Sequence, residues 1–246
     1  MMNILVIGDS CKDIFIYGDC DRLAPEAPVP VIKPLYRKEN PGMASNVVEN
    51  LKKLGAKVNL ITNKNGISKI RYMDEKYNQM VLRVDENDLC DRININDDFL
   101  FYGPYDAVII SDYNKGFLEK EDIKFFSEKL ECPIFLDTKK YLGDWCHNID
   151  FIKINHQEHQ KNYERLPDYP ELKEKLIVTK GKHGCEYKGK IYPTEEVPVK
   201  DVSGAGDTFI AGLVFEYVKS KDIEEAIDFA QICTTRVVQK IGVATV

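Results

Sequence analysis

The feature that most constrains the fold is a series of short apolar runs separated by amphipathic stretches. The runs are continuous rather than alternating, which indicates strands of a sheet that is covered on both faces. The stretches between them carry apolar residues at three- and four-residue spacing, as packed helices do. We therefore predict a parallel α/β sandwich. The predicted strands are residues 4–7, 58–61, 107–110, 134–136, 151–154 and 176–178, and the predicted helices are residues 44–54, 118–130, 156–163, 207–218 and 222–240.

Three further segments do not fit this rhythm. Residues 29–33, 69–73 and 80–84 alternate apolar and polar side chains, which predicts a small second sheet. Prolines 25, 28 and 30 favour an edge position for the first of these strands. A small sheet beside an α/β body suits a lid or a dimer interface, and an ordinary antiparallel extension is the alternative. We expect a single domain over residues 1–246, with lid strands around residues 14–38 and 68–86.

Composition and local sequence argue against several classes of function. The 34 Lys and Arg residues against 40 Asp and Glu residues give a net charge of −6, which argues against a broad basic surface for nucleic acid. No apolar run approaches the roughly 20 residues that span a bilayer. The opening segment MMNILVIGD predicts a buried strand rather than a signal peptide. Seven scattered cysteines without a C-x-x-C pair indicate reduced thiols and favour a cytoplasmic protein.

The segment DVSGAGDT at residues 201–208 runs directly into a predicted helix. Because Gly204, Ala205 and Gly206 leave backbone N–H groups uncovered at the positive end of that helix, the pattern predicts an anion-binding turn. Asp207, in the same first turn, is placed to accept a proton from a hydroxyl that approaches the anion. The alternative is a plain glycine loop in which Asp207 only complements the helix dipole.

This segment resembles the second signature of the PfkB (ribokinase-like) family of sugar and nucleoside kinases. The resemblance implies that Asp207 is the catalytic base and that the amides of Gly204, Ala205 and Gly206 form the anion hole. It also implies ATP as the phosphoryl donor and Mg²⁺ as the metal. The fold implied is a ribokinase-like three-layer sandwich with a mainly parallel sheet and a small β-sheet lid.

Two further elements resemble the nucleotide side of that family. Asn155 and Glu158 match its N-x-x-E element, which implies that they arrange Mg²⁺, water and phosphates, with Glu158 reaching the metal through water. On their own they also fit a helix N-cap with a first-turn glutamate. Thr179, Gly181 and Gly184 lie in a segment that resembles the nucleotide-side turn before a hairpin, and a plain glycine hairpin is the alternative.

The sugar side carries a departure from the family pattern. Asp9 and Asp13 resemble the family's sugar-binding acids, and open α/β sheets bind ligands at the carboxyl ends of their strands. The segment PGMASN at residues 41–46 resembles the first signature, Gly-Gly-x-x-x-Asn, with Gly42 and Asn46 in matching positions. Met43 stands where the second glycine is usual, so a side chain occupies a place that the family keeps bare.

Arg71 and Arg83 lie on predicted lid strands and are candidates to bind a sugar phosphate, because guanidinium groups match phosphate oxygens. Solvated strand charge is the alternative for each of them. The family normally continues through a further helix and strand after Ile61, and this sequence lacks that unit. The shortened edge suggests an exposed edge or a dimer surface, and we expect a homodimer formed through the lid strands.

The segments RLAPEAPVPV (22–31), QMVLRVD (79–85) and SDYNKG (111–116) resemble the heptose 7-phosphate kinases of the family. This resemblance implies phosphorylation of the anomeric hydroxyl of D-glycero-D-manno-heptose 7-phosphate, a small-molecule sugar phosphate in lipopolysaccharide precursor synthesis. Two alternatives stay open. One is a ribokinase-like kinase for another sugar or nucleoside, and the other is a non-catalytic descendant that only binds a ligand.

Overall fold

The structure is a computed structural model that describes residues 2–95 and 103–246. The single domain expected over residues 1–246 therefore includes residue 1 and residues 96–102, which lie outside the described residues. In chain order the strands are β1 (Asn3–Gly8), β2 (Ser10–Leu23), β3 (Pro30–Met43), β4 (Lys57–Ile61), β5 (Ile67–Asp74), β6 (Gln79–Glu86), β7 (Ala107–Asp112), β8 (Ile134–Thr138), β9 (Phe151–Asn155), β10 (Leu176–Thr179), β11 (Cys185–Tyr187) and β12 (Lys190–Tyr192). The helices are α1 (Ala44–Lys53), α2 (Lys120–Lys129), α3 (His156–Asn162), α4 (Pro170–Lys173), α5 (Ala205–Ser220) and α6 (Ile223–Val237).

The large sheet has eight strands in the order β12-β11-β10-β9-β8-β7-β1-β4. The six strands from β10 to β4 run parallel, and the β11–β12 hairpin extends the sheet with antiparallel pairs. All six strands predicted from apolar runs are present, and they belong to the parallel part.

Both faces of the large sheet are covered by apolar packing. One core cluster joins residues of β1, β7 and β8 to helices α1, α5 and α6. A second cluster joins the alternate residues of these strands to α2 and α4. Continuous apolar strands arise because each strand then presents apolar side chains to both faces. The expected three-layer arrangement is confirmed.

The small sheet has four strands in the order β3-β2-β5-β6. β2 pairs antiparallel with β3 and parallel with β5, while β6 pairs antiparallel with β5. β3 lies at the edge, as its prolines predict. It is much longer than the predicted segment 29–33, and the alternation pattern missed β2 because much of the first half of β2 is buried on both faces.

Two direct connections place the small sheet beside the carboxyl end of β1. Asp9 is the single residue between β1 and β2, and β3 passes directly into α1 at Ala44. The N–H of Ala44 donates to the carbonyl of Asp9 at 2.9 Å, which ties the two connections together. On the other side, β4 is the edge strand of the large sheet, and only residues 62–66 separate it from β5.

Among residues 2–95 and 103–246, no helix combines the length and apolar character needed to cross a bilayer.

Candidate functional site

The N-terminus of α5 presents backbone donors. Gly204 is the N-cap, with φ 79°, and a Cβ there would lie 2.6 Å from Asn46 Nδ2, so this position requires glycine. The N–H of Ala205 donates to the Val202 carbonyl at 3.1 Å. The N–H groups of Gly206 and Asp207 belong to the first turn, where a helix supplies no carbonyl partner. In this structure, therefore, Gly204 serves as the cap and Ala205 already has an acceptor, and the anion-hole role of the segment stays a prediction.

Asp207 is buried, with 4% of its surface exposed, and both its carboxylate oxygens accept hydrogen bonds. The Tyr113 hydroxyl donates to Oδ1 at 2.6 Å, and Asn46 Nδ2 donates to Oδ2 at 2.9 Å. Burial raises the pKa of Asp207 to about 6, although these two hydrogen bonds oppose the rise. A carboxyl group with a pKa near neutral pH is suited to accept and release a proton.

A row of register partners crosses four neighbouring strands in their carboxyl-terminal halves, and three of its four members are polar. Gly8, Ser111, Asp137 and Lys153 are register partners along β1, β7, β8 and β9, so their positions share one face of the sheet. Lys153 Nζ lies 2.7 Å from Asp137 Oδ2, and both side chains are buried. Among the described residues, Ser111 Oγ and Asp137 Oδ1 have no hydrogen-bond partner.

This row lies beneath the start of α5. A Cβ added to Gly206 would lie 2.9 Å from Lys153 Nζ, so glycine allows the ammonium group to approach the helix terminus. The charges of Asp137 and Lys153 both affect the pKa of Asp207, the former raising it and the latter lowering it. The structure therefore brings a buried ammonium, first-turn N–H groups and a carboxylate together.

Asn155 and Glu158 form the capping box of α3. The Asn155 side chain accepts from the N–H of Glu158 at 2.9 Å, and Glu158 Oε2 accepts from the N–H of Asn155 at 2.7 Å. Glu158 also forms an ion pair with Lys139, the residue that follows β8. The local capping role is present, and the metal and nucleotide roles of these two residues stay predictions.

The predicted nucleotide-side turn does precede a hairpin, formed by β11 and β12. Thr179 ends β10, and its hydroxyl donates to the Ile154 carbonyl at 3.4 Å. Gly181 and Gly184 have positive φ angles, and a Cβ at Gly184 would lie 2.0 Å from the Tyr192 carbonyl oxygen. The hairpin explains Gly184 sterically, and contact with a nucleotide stays a prediction for all three residues.

Asp9 lies at the carboxyl end of β1 and is fully buried. Its Oδ2 accepts from the N–H of Tyr113 at 2.6 Å, and its Oδ1 accepts from the N–H of Phe117 at 3.4 Å. Burial raises the pKa of Asp9. In this structure Asp9 holds the loop that follows β7, and its sugar-binding role stays a prediction.

Asp13 lies on β2 and forms an ion pair with Arg71 of β5, both side chains being largely buried. A Cβ added to Gly42 would lie 2.1 Å from Asp13 Oδ2, so the bare backbone leaves room for this carboxylate. The charges of Asp13, Arg71 and Asp207 all act on the pKa of the Cys11 thiol. Arg83 instead makes two hydrogen bonds to Asp85, at 2.7 and 2.6 Å, and is more exposed.

Met43 adopts φ 60° and ψ −134°, a conformation that favours glycine. The side chain is 2% exposed and packs with Cys11 and Ile67. The backbone at position 43 therefore keeps a conformation that suits the glycine of the resembling family. Packing against Cys11 and Ile67 holds the Met43 side chain in place.

Sequence reasoning missed several residues that surround Asp207. Lys69 Nζ lies 5.0 Å from the centroid of the Tyr113 ring, and Lys139 Nζ lies 5.1 Å from it. Polar residues at the carboxyl ends of predicted parallel strands were the available indication, because such ends converge on one edge. The residues missed are Lys69, Tyr113, Asp137, Lys139 and Lys153.

Comparison with known proteins identifies relatives of the whole chain. The profile of the pfkB family of carbohydrate kinases matches residues 119–246. The bifunctional protein HldE of a Nitratiruptor species is 32% identical over 289 aligned positions, which cover 98% of this chain and 62% of that protein. The bifunctional protein HldE of Helicobacter pylori is 33% identical, over 99% of this chain and 64% of that protein. The chain thus spans less than two thirds of the length of these relatives.

Solved structures support the fold. A nucleoside kinase of Methanocaldococcus jannaschii, described as a member of the ribokinase family, superposes with a TM-score of 0.71 at 19% identity, covering 99% of this chain and 93% of that one. Ribokinase from Thermotoga maritima gives a TM-score of 0.68 at 17% identity, covering 99% and 95%. The expected ribokinase-like fold is confirmed.

Proposed function

The chain belongs to the pfkB family of carbohydrate kinases, and we propose that it uses ATP to phosphorylate a sugar phosphate. Membership of this family makes it a phosphotransferase with a sugar hydroxyl as acceptor. The substrate that we propose is D-glycero-D-manno-heptose 7-phosphate, phosphorylated at its anomeric hydroxyl. The three sequence segments that resemble heptose 7-phosphate kinases support this choice.

One observation carries the proposal: the Asp207 carboxylate already holds a hydroxyl donor at 2.6 Å, beside the N-terminus of α5. That distance is the one a general base needs from the proton it removes. The acceptor hydroxyl of the sugar would take the same place on Oδ1. Asn46 holds the other oxygen and so fixes the orientation of the base.

The phosphoryl group would lie against the first turn of α5. The N–H groups of Gly206 and Asp207 and the ammonium of Lys153 together supply positive charge there. Because Lys153 is buried and paired with Asp137, it is held in place before any ligand binds. Preorganised donors of this kind stabilise charge that develops during phosphoryl transfer.

Mg²⁺ fits this site as an ion held mainly by water and phosphates. Among the described residues, no group of three His, Cys, Asp or Glu side chains is arranged to hold a metal. Mg²⁺ bound with a nucleotide requires only one or two carboxylates, since it keeps several of its waters. Glu158 would hold one such water, and the metal would neutralise charge on the phosphates. Lys139 forms an ion pair with Glu158 and so holds that carboxylate beside the end of β8.

Four basic side chains support an anionic sugar as the substrate. Lys69, Arg71 and Arg83 come from the small sheet, and Lys139 comes from the end of β8. Lys69 and Lys139 both lie against the ring of Tyr113, which itself contacts Asp207. We propose that these cations bind the phosphate that the sugar already carries.

We also propose that the chain is a cytoplasmic homodimer formed through the small sheet. All seven cysteines are free thiols, as a reducing compartment such as the cytoplasm maintains.

The proposed dimer interface is the small sheet. Exposed apolar side chains are frequent on this sheet, and such patches favour an interface. They include Leu23, Leu35, Tyr36, Met80 and Leu82. Sedimentation velocity is expected to show a dimer that Leu35→Glu weakens, and a wild-type monomer at micromolar concentration would exclude this arrangement.

The function is tested by ADP release with Mg-ATP and a panel of sugars. The panel contains heptose 7-phosphate, fructose 6-phosphate, ribose and a nucleoside, and ³¹P NMR identifies the product. We expect turnover with heptose 7-phosphate and a new anomeric phosphate signal. Turnover with another compound of the panel and none with heptose 7-phosphate would overturn the substrate assignment. No turnover with any of them would favour a ligand-binding role.

The role of Asp207 is tested by substitution. Asp207→Asn is expected to lose about 10²-fold or more in turnover. The exposed Asp228→Asn serves as the matched control and should retain it.

A further inference from the structure

We propose that Tyr113 stands in for the acceptor hydroxyl when no sugar is bound, and that the sugar must displace it from Asp207. The proposal rests on the kinase function proposed above. It assigns to Tyr113 a positioning and selective role that the sequence analysis did not assign to it.

The hydrogen bond itself is the first observation. The Tyr113 oxygen lies 2.6 Å from Asp207 Oδ1, within the range that a reacting hydroxyl requires. Asn46 donates to Oδ2, and Asp207 is almost completely buried, so Oδ1 is the oxygen of this carboxylate that already faces a hydroxyl group. The acceptor hydroxyl of the sugar then takes the position on Oδ1 that the phenol hydroxyl now holds.

The backbone around Tyr113 is fixed by hydrogen bonds. Its N–H donates to the buried Asp9 carboxylate at 2.6 Å, and the N–H of Asn114 donates to Asp112 Oδ1 at 3.0 Å. Asn114 adopts φ 57°, which turns the chain sharply after the tyrosine. Rotation of the Tyr113 side chain about its own bonds breaks none of these backbone contacts, so the proposed displacement does not require the loop to move.

The charges around the ring make displacement selective. The ammonium nitrogens of Lys69, on the small sheet, and Lys139, which follows β8, lie about 5 Å from the centroid of the Tyr113 ring. Removing the ring deprives both ammonium groups of a cation–π contact, and this loss opposes displacement. An anionic sugar replaces those contacts with ion pairs, and a neutral sugar does not. The tyrosine thus favours a phosphorylated substrate.

A second consequence concerns water. While the phenol hydroxyl holds Asp207, a water molecule cannot take the position of the nucleophile. Bound ATP is then protected from hydrolysis until a sugar arrives. Proton transfer from the phenol to the base is not involved, because burial and the Asp207 charge hold the pKa of Tyr113 well above its usual range.

The test is Tyr113→Phe, which keeps the ring and removes the hydroxyl. Tyr105→Phe is the matched control, since the Tyr105 hydroxyl accepts a hydrogen bond from Asn59 away from this site. We expect Tyr113→Phe to raise ATP hydrolysis in the absence of sugar at least threefold and to lower the KM for the sugar phosphate. Hydrolysis and KM equal to those of the wild type would overturn the proposal.

The pH profiles provide a readout that a merely structural role would not move. The profile of kcat/KM reports the free enzyme, and that of kcat reports the substrate complex. Because the Tyr113 hydrogen bond lowers the pKa of Asp207, its loss should move the acidic limb of kcat/KM to higher pH. The limb of kcat should stay, since the sugar has already displaced the tyrosine. Among the described residues, the titratable groups that interact electrostatically with Asp207 include Cys11, Tyr113, Asp137, Lys139 and Lys153, and Tyr113→Phe changes one of these five.

Movement of both limbs would show that Tyr113 stays bonded to Asp207 in the complex, which contradicts displacement. Movement of neither limb would reduce Tyr113 to a structural residue. A wild-type chain that phosphorylates no sugar refutes the proposed function and this inference together. A working wild-type kinase with an unshifted Tyr113→Phe profile refutes this inference alone.

Discussion

Asp207→Asn is expected to stabilise the ligand-free chain at neutral pH while it removes activity. The pKa of Asp207 is about 6 in the folded chain, against 3.8 for the unperturbed group. At about 1.36 kcal/mol per pKa unit, keeping this carboxylate ionised in the folded chain at pH 7 costs about 3 kcal/mol. The folded state binds the proton more tightly than the unfolded state does. The contribution of Asp207 is therefore fully present below about pH 4 and is lost as the pH rises through about 6.

Asparagine removes the charge, but it also changes one hydrogen bond. Its carbonyl oxygen can still accept from the Tyr113 hydroxyl. Its amide nitrogen would face Asn46 Nδ2, which is also a donor, and Asn46 Oδ1 is already engaged by Asn50 at 3.3 Å. A mismatched buried pair of this kind costs about 1–2 kcal/mol. The expected net gain, on the same scale, is about 1–2 kcal/mol at pH 7.5, and it becomes a net loss of about 1 kcal/mol near pH 4, where the mismatched hydrogen bond outweighs the charge term.

Urea unfolding followed by far-UV circular dichroism measures this difference from pH 4 to pH 8, with Asp228→Asn as the control. The stability difference between Asp207→Asn and the wild type should grow with pH between 4 and 7, whereas the control should show no such trend. A difference that is constant over this range would refute the argument that burial raises the pKa of Asp207. Loss of stability confined to neutral pH would refute the sign of the effect.

Three further outcomes follow from other contacts. Lys153→Met should lower the free energy of unfolding by about 3–5 kcal/mol in urea titrations, because it leaves Asp137 buried and unpaired, and adding Asp137→Asn should restore much of the loss. The kcat/KM of the wild type should fall about tenfold per pH unit below about 6, where Asp207 becomes protonated, and a flat profile to pH 5 would exclude it as the base. Gly42→Ala should raise the KM for the sugar phosphate at least tenfold and leave the KM for ATP unchanged, since its Cβ would lie 2.1 Å from Asp13 Oδ2. An equal rise of both constants would place Asp13 outside the sugar site.

Local patterns predicted most of the large sheet and the start of α5. Continuous apolar runs identify buried parallel strands because both faces of such strands are covered. The glycine-containing segment before Asp207 identifies a helix terminus because small residues and a first-turn acid have few other uses together. These features depend on residues that are close together in the chain, so they can be predicted from the sequence. β2 was not predicted. Much of its first half is buried on both faces, so it lacks the alternation of apolar and polar residues that marks a sheet with one exposed face.

Partners that meet across the fold could not be predicted in the same way. Asp9 looks free at the end of a strand, but the N–H groups of Tyr113 and Phe117, more than 100 residues away, occupy its oxygens. The pairing of Lys153 with Asp137 depends on strand order and register. Neither property follows from the spacing of residues along one segment.

The buried ion pairs of this molecule lie where function, rather than stability, requires charge. Asp137 with Lys153 and Asp112 with Lys140 form buried ion pairs at the carboxyl ends of β7, β8 and β9. Apolar residues of similar volume are often as stabilising as a buried pair, or more so, because desolvation offsets the attraction between the charges. The core clusters show that this sheet accepts apolar residues elsewhere along the same strands. Charge is therefore concentrated where the strands end beside α5, and a reaction that transfers a phosphoryl group supplies the reason for keeping it there.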